Sequence, residues 1–485
     1  ILKRALSCMK ETSNKYLIIA ILLGLAFHGS AIFFTIETSY DAFIHLFFAD
    51  HYANNWFEPW NFKWYTGFSV MSYPPLVHQS IAALSMIGGL KFGLFTICLL
   101  SIVLFITGVY RFSLLITSHR TVAGYAAILG VFSSSFLETF HIYGQLPSII
   151  GIALLMHSLP EIYLWLKSGK YRYLYTSLSL IAVIATSHHL TTIFGMIFFI
   201  FPLIGMVILD ICREQVSSYK EVSLKLFIRN FGKQFKRNMS FGILSLVLII
   251  GCILPYWINS KNNPITQVPI PHGSRDNFLE IASSGLMFFW IPWGVLLLLL
   301  PYFFYRYFSK RYLFFGLSFT LLLLLGTGGT TPIPKLILGE NTFNILTLDR
   351  FTFWGSIMVL PLLGEFAYRL VEGDLKMLIQ KKFGLINHRL IGGLLASLFL
   401  LMIVFTMSIS YFRPLQPQKI KMLPIVNFLN EDNHDQWRYL TLGFGDQMAW
   451  LSAQTNAKTV DGNYHSARRL PELTTRPIER LENSK

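Results

Sequence analysis

Long apolar runs separated by short polar or basic segments set the pattern of this chain. A run of about 17 to 25 mostly apolar residues is enough to cross a bilayer as one helix. About eleven runs are read as spans, at 16–36, 92–114, 121–136, 147–166, 174–186, 191–211, 241–257, 281–305, 312–325, 351–368 and 390–411, three of them only 13 to 16 residues long. The shorter run 76–89 ends in Gly-Gly and predicts a helix lying at the membrane surface, not a crossing. The pattern predicts an all-α polytopic membrane protein over residues 1–410, with a large first loop at 37–91.

Basic residues give the runs a direction, because loops rich in Lys and Arg stay on the cytoplasmic side. Lys3, Arg4, Lys10 and Lys15 precede the first run, which places the N-terminus inside and the first loop outside. A long basic stretch with Arg213, Lys220, Lys225, Arg229, Lys233, Lys236 and Arg237 predicts an extended cytoplasmic loop. Alternation then puts about 24 Lys and Arg on cytoplasmic segments and about 6 in outer loops, with the C-terminus outside. The expected location is the cell's inner or plasma membrane.

Residues 411–485 change character. LPIVNFLN and DQMAWLSAQ read as helices, WRYLTLG and AKTVDG as strands, so a small extracytoplasmic α/β segment is expected. It is short for a closed fold, and a longer native chain or a protein partner is expected to complete it. His465, Arg468 and Arg469 lie where they can reach over an outer cleft.

Composition agrees with the pattern: 53% of residues are hydrophobic and 13% charged, and the mean hydropathy is +0.51. The formal charge of +15 belongs to the loop bias, and no Lys/Arg stripe of a nucleic-acid binder is present. The four cysteines, Cys8, Cys98, Cys212 and Cys252, avoid the outer loops and imply no disulfide framework. The GTGGTTP run at 326–332 lacks the Lys-Ser/Thr ending of a phosphate-binding loop and reads as a turn.

Candidate chemistry gathers on the outer side. In the first loop, Asp41 and His45 lie one helical turn apart, and Asp50 and His51 follow more than two turns later. Trp56, Trp60, Trp64, Tyr65 and Tyr73 suit headgroups or sugar faces, and an interfacial belt is the commoner role. His141, Gln145, His188, His189, His272, Arg275, Asp276, Lys335, Glu340, Asp349 and Arg350 fall on the same side. Polar groups near bilayer depth are costly unless they face a watery hollow, so an outward-facing cavity is expected. Glu161, Asp210 and Glu365 fall at cytoplasmic helix ends, where they can snorkel.

A short cytoplasmic N-terminus, one span, and an outer loop opening with Asp41 and closing on Tyr73-Pro74-Pro75-Leu76 resembles the GT-C superfamily of lipid-linked glycosyltransferases. The Asp41-to-His45 spacing, the Trp-rich loop, the GQLPS turn at 144–148 and the Arg350-Phe351 pair resemble the membrane proteins labelled 6-pyruvoyl-tetrahydropterin synthase related. The label implies no pterin chemistry. The resemblance implies transfer of a sugar from a polyprenyl-phosphate donor to a lipid, glycan or protein acceptor on the outer face, with Asp41 as general base. In the related oligosaccharyltransferases further acidic residues hold a divalent metal. Asp50 and His51 are the candidates here, although no D-x-D or E-x-D pair accompanies them.

That chemistry needs a carboxylate for the acceptor proton and cationic or hydrogen-bonding groups for the leaving phosphate. Asp41 suits the first role and Arg350 the second, because a guanidinium fits phosphate oxygens bidentately. His45, Asp50, His51, Gln145, His188, His189 and Lys335 complete the candidate substrate-binding set. Simpler roles exist for each: Asp41 can end a helix, His188 and His189 can cap one, and Arg350 can pair with Asp349. Two other classes compete, a non-catalytic GT-C-like assembly subunit and a transporter. The second should show internal repeats and helices broken at the midplane, and no repeat is visible.

Overall fold

The structure, a computed structural model, describes residues 14–262, 272–412 and 416–464. Lys3, Arg4, Cys8, Lys10, His465, Arg468 and Arg469 lie outside the described residues. Seven helices are long and apolar enough to cross a membrane: Lys15–Thr35, Leu76–Thr117, Leu146–Ser168, His189–Gln215, Leu224–Pro255, Ala282–Tyr307 and Asp374–Phe412. Two apolar pairs, Arg120–Val131 with Ser134–Ile142 and Asp349–Met358 with Leu360–Val371, bend by 43° and 41° and raise the number to nine if each is one span. The first bend falls at Ser133, whose extended backbone starts a new helix. The second falls before Pro361, which has no N–H to continue the ladder.

The eleven expected crossings therefore become seven to nine. The other two expected runs form Tyr171–Ser187 and Leu313–Leu325, of 17 and 13 residues. At 1.5 Å per residue these reach roughly 25 and 20 Å, short of a hydrocarbon core of about 30 Å. The Gly-Gly pair separates two helical segments inside Leu76–Thr117, because Gly88 (φ −143°) and Gly89 (φ +81°) leave helical geometry. The expected long basic loop is mostly helix. Leu224–Asn262 is continuous and begins within it, with Leu224, Ile228, Phe231 and Phe235 recurring at helical spacing among the basic residues.

Ion pairs tie helices together at one end of the bundle. There Arg306 pairs with Glu365 at 2.7 Å, Arg311 with Asp210 at 2.9 Å, and Arg111 with Glu161. These three acids, expected to snorkel, are instead neutralised by arginines from other segments, Arg111 and Arg306 on helices and Arg311 in the turn before Leu313–Leu325. Tyr163 and Tyr219 also donate to Asp210, at 2.9 and 2.6 Å.

The first loop and the tail meet at the other end. In the tail, Arg438–Tyr439 pairs in parallel with Lys458–Thr459, and helix Gln447–Gln454 lies between them in sequence. The Thr459 N–H donates to Lys63 O at 2.8 Å, and the Trp64 indole N–H to Ser452 Oγ at 2.9 Å. Trp64 is fully buried and stacks on Phe47, with centroids 3.8 Å apart. A Cβ on Gly462 would lie 2.6 Å from the indole, so the close approach requires glycine there. Trp64 is thus core, neither part of a membrane belt nor a surface for sugar. Trp64→Ala is expected to destabilise this end by about 3–5 kcal/mol. Lower melting and faster proteolysis within 416–464 would check it; an unchanged cleavage pattern would count against the junction.

Candidate functional site

The site forms where the first helix hands over to the first loop. Helix Lys15–Thr35 ends, and after a short turn Asp41 stands at the N-cap of helix Ala42–Asn54. The backbone N–H groups of Tyr40 and Asp41 donate to Ile142 O and Tyr143 O, each at 3.0 Å. Those carbonyls are available because a π-helical turn, Glu138–Ile142, ends there before helix Leu146–Ser168 begins with Pro147. Gly144 completes the seat. Its φ is +66°, and a Cβ there would lie 2.8 Å from Ser39 Oγ and 3.2 Å from the Asp41 N.

The Asp41 side chain makes no capping bond to its helix. The carboxylate is therefore not used up in ending a helix, the simpler role open to it. Burial, then the neighbouring Asp349, raises it from the ordinary carboxylate range to about 7.

Groups from distant parts of the chain surround it. Burial above all raises the pKa of the Tyr73 hydroxyl; Asp41 adds to the rise and Arg350 opposes it. Arg350 is held by Thr347: its Nε donates to Thr347 O at 3.0 Å and its Nη2 to Thr347 Oγ1 at 2.7 Å. Its Nη1 is shielded from solvent and has no partner among the described residues. Gln145 Nε2 donates to Asp349 Oδ2 at 3.5 Å. His188 takes the Thr191 N–H on Nδ1 at 3.3 Å and lies 3.3 Å from Ser148 Oγ through Nε2. Burial first, then Arg350 and His189, lower His188 to about 3, so it is a neutral imidazole at physiological pH. It also caps the next helix, as the simpler role anticipated.

Two imidazole pairs brace the 138–145 segment. His28 Nε2–H donates to Val131 O at 2.8 Å, so its Nδ1 accepts from His141 Nε2–H, also at 2.8 Å. Thr35 Oγ1 lies 2.8 Å from His141 Nδ1. His45 Nε2–H donates to Gly144 O at 2.9 Å, and His78 Nε2–H reaches His45 Nδ1 at 3.0 Å. His45 is lowered to about 4, chiefly by burial, so it acts as a neutral brace.

The structure thus brings together Asp41, Gln145, His188 and Arg350, with His45 underneath and His189 following His188 at the start of a helix. It places the other candidates elsewhere. Asp50 pairs with Lys63 at 2.8 Å, and His51 Nε2–H donates to Glu58 O at 2.7 Å, both toward the far end of helix Ala42–Asn54. Lys335 is half-exposed and pairs with Glu340 at 2.8 Å. Four residues at or beneath the site escaped the sequence reading as participants: His28, Tyr73, His78 and Glu138. Glu138 is 2% exposed and accepts from the Tyr143 hydroxyl at 3.3 Å. His28 carried a signal, since an ionisable residue within an apolar run is costly and seldom idle, and Glu138 follows directly on such a run. Among the described residues no three His, Cys, Asp or Glu side chains converge as metal ligands. The residues do not fit the divalent ion that Asp50 and His51 were candidates to hold.

No protein-family model matches the chain, and no curated protein matches it in sequence. Solved structures do match in fold. One is an archaeal oligosaccharyltransferase, AglB from Archaeoglobus fulgidus, in complex with an inhibitory peptide and a dolichol-phosphate. It aligns at TM-score 0.52 and 12% identity over 93% of this chain and 64% of that one. Another is a crystal structure of the Archaeoglobus fulgidus oligosaccharyltransferase in complex with Zn and sulfate, at TM-score 0.51 and 13% identity over 92% and 62%. The chain spans less than two thirds of each. The likeness to both is one of fold.

Gly144→Ala tests the seat of Asp41. The strained φ and the contact with the Asp41 amide are expected to cost about 1–3 kcal/mol. Amide exchange at Tyr40 and Asp41 should accelerate at least tenfold; unaltered exchange would show that glycine is not needed for this pairing.

Proposed function

We propose that the chain is a membrane glycosyltransferase of the GT-C kind, acting on the outer face with the first-loop motifs of the 6-pyruvoyl-tetrahydropterin synthase related membrane proteins. It moves a sugar from a polyprenyl-phosphate-linked donor to a lipid, glycan or protein acceptor. One observation carries this reading: the Asp41 carboxylate makes no capping bond, the Arg350 Nη1 is shielded without a partner among the described residues, and Asp349, next to Arg350 in the chain, is the charged neighbour of Asp41. A base and an anion receptor in one cluster are the two functions that displacing a phosphate from an anomeric carbon requires.

In the proposed step the acceptor hydroxyl oxygen forms a bond to the anomeric carbon while the bond from that carbon to the phosphate oxygen breaks. The acceptor proton passes to Asp41, and the electron pair of the broken bond stays on the phosphate. Arg350 meets the developing charge, and the neutral His188 offers hydrogen bonding without adding charge. Asp41 suits the task because a base with a pKa near the working pH combines availability with strength.

A lipid donor is supported by an apolar groove of about 350 Å³ beside Asp41, lined by Ile32, Phe33, Ile36, Ala42, Phe43 and Phe95, with Glu37 and Lys91 also in its wall. The dolichol-phosphate of the Archaeoglobus fulgidus protein is that protein's ligand, and it supports the same donor class here.

Purified protein with a polyprenyl-phosphate-linked sugar and a mixed acceptor pool tests the reading. Asp41→Asn is expected to lower transfer at least a hundredfold. Because folding raises the pKa of this acid, ionisation costs stability as pH rises through about 7, so the variant should melt no lower than the parent at pH 8. Undiminished product from Asp41→Asn at normal protein level would leave the non-catalytic assembly subunit as the better account. The parent's rate should fall as pH drops below about 7, following protonation of Asp41; a flat profile from pH 5 to 8 would refute its role as base.

A further inference from the structure

A second cavity, of about 620 Å³, opens between the far end of helix Ala42–Asn54 and the tail. It is separate from the Asp41 cluster. At 1.5 Å per residue, Asn54 lies roughly 20 Å along the helix from Asp41. The wall is rich in carboxamides: Asn54, Asn55 and Asn61 from the first loop, and Asn430, Gln454 and Asn456 from the tail. Some are committed to the framework. Asn54 Nδ2 donates to Asp50 O at 2.9 Å, Asn61 Oδ1 accepts the Lys63 N–H at 2.8 Å, and Asn430 Oδ1 accepts from Thr455 at 2.8 Å. Asn55 and Asn456 are exposed and make no side-chain hydrogen bond among the described residues.

Two aromatic rings complete the wall, Trp60 and Phe62. Trp60 is held in place from behind: a Cβ on Gly67, whose φ is +121°, would lie 2.3 Å from the indole nitrogen. Charge does not dominate. Asp50 and Lys63 neutralise each other at 2.8 Å, which leaves Glu58 and Asp435 against Lys458 and gives phosphate no cationic cradle.

The geometry points to a subsite for a neutral saccharide. A carboxamide offers a donor and an acceptor side by side, which matches sugar hydroxyls that both give and accept hydrogen bonds. A half-covered indole offers an apolar face to ring C–H groups. The volume lies within the range of small-molecule pockets and suits one or two hexose rings. The distance from Asp41 makes this ring a remote unit of a glycan, not the sugar being transferred. The subsite binds whether or not Asp41 is a catalytic base, so its test is independent of the transfer reaction.

The test uses the full chain in detergent, titrated with cellobiose, maltose, chitobiose and mannobiose and followed by saturation-transfer NMR and calorimetry. At least one disaccharide should bind saturably. Trp60→Ala and the double variant Asn55→Ala/Asn456→Ala should each weaken it at least fivefold, and Asp41→Asn should leave it unchanged. The amide pair is exposed, so its variant reports on the subsite even if Trp60→Ala melts early. Saturable binding of none of the four would overturn the assignment. So would binding indifferent to both variants, binding abolished by Asp41→Asn, or competition by inorganic phosphate.

Discussion

The candidate site rests on a pair of backbone hydrogen bonds. Tyr40 and Asp41 give their N–H groups to the carbonyls of residues 142 and 143, joining the exit of the first span to a break between two later ones. Backbone donors at such a junction would be costly to leave unpaired, so this joint fixes the chain where a side-chain contact would only bias it. Glycine at 144 permits the approach, and imidazoles reach Gly144 and residue 141 from either side. Asp41 thereby keeps its position without spending its carboxylate.

Much of this was legible in the sequence because membrane insertion restricts the alphabet. Apolar runs, basic loops and a carboxylate just after the first span predict where helices end and where polar groups collect. The runs that failed as full spans, at 174–186 and 312–325, were the short ones, for which apolarity alone cannot separate a crossing from a partial one. The basic stretch after residue 211 misled for a different reason: charge bias reports the side of the membrane, not the conformation, and this stretch is helical from Leu224.

Within the site, Asp41, Arg350, Gln145 and His188 converge from four separate segments, and their residue types carried that suggestion. Asp50, His51 and Lys335 carried the same kind of signal but found local partners, Lys63, the Glu58 carbonyl and Glu340. Proximity in sequence to an important acid is a poor guide when a helix of 13 residues intervenes. Tyr73 was hidden as one more interfacial aromatic, although its ring packs against His78 beneath the site.

The burial of Trp64 against Ser452 and Gly462 sets an order of events during synthesis. A segment translated near the start has its dry packing supplied by residues made nearly 400 positions later. Until that late stretch has closed over the indole, the early loop exposes a large aromatic surface. Burial of this face thus waits on residues 452–462, far along the described chain.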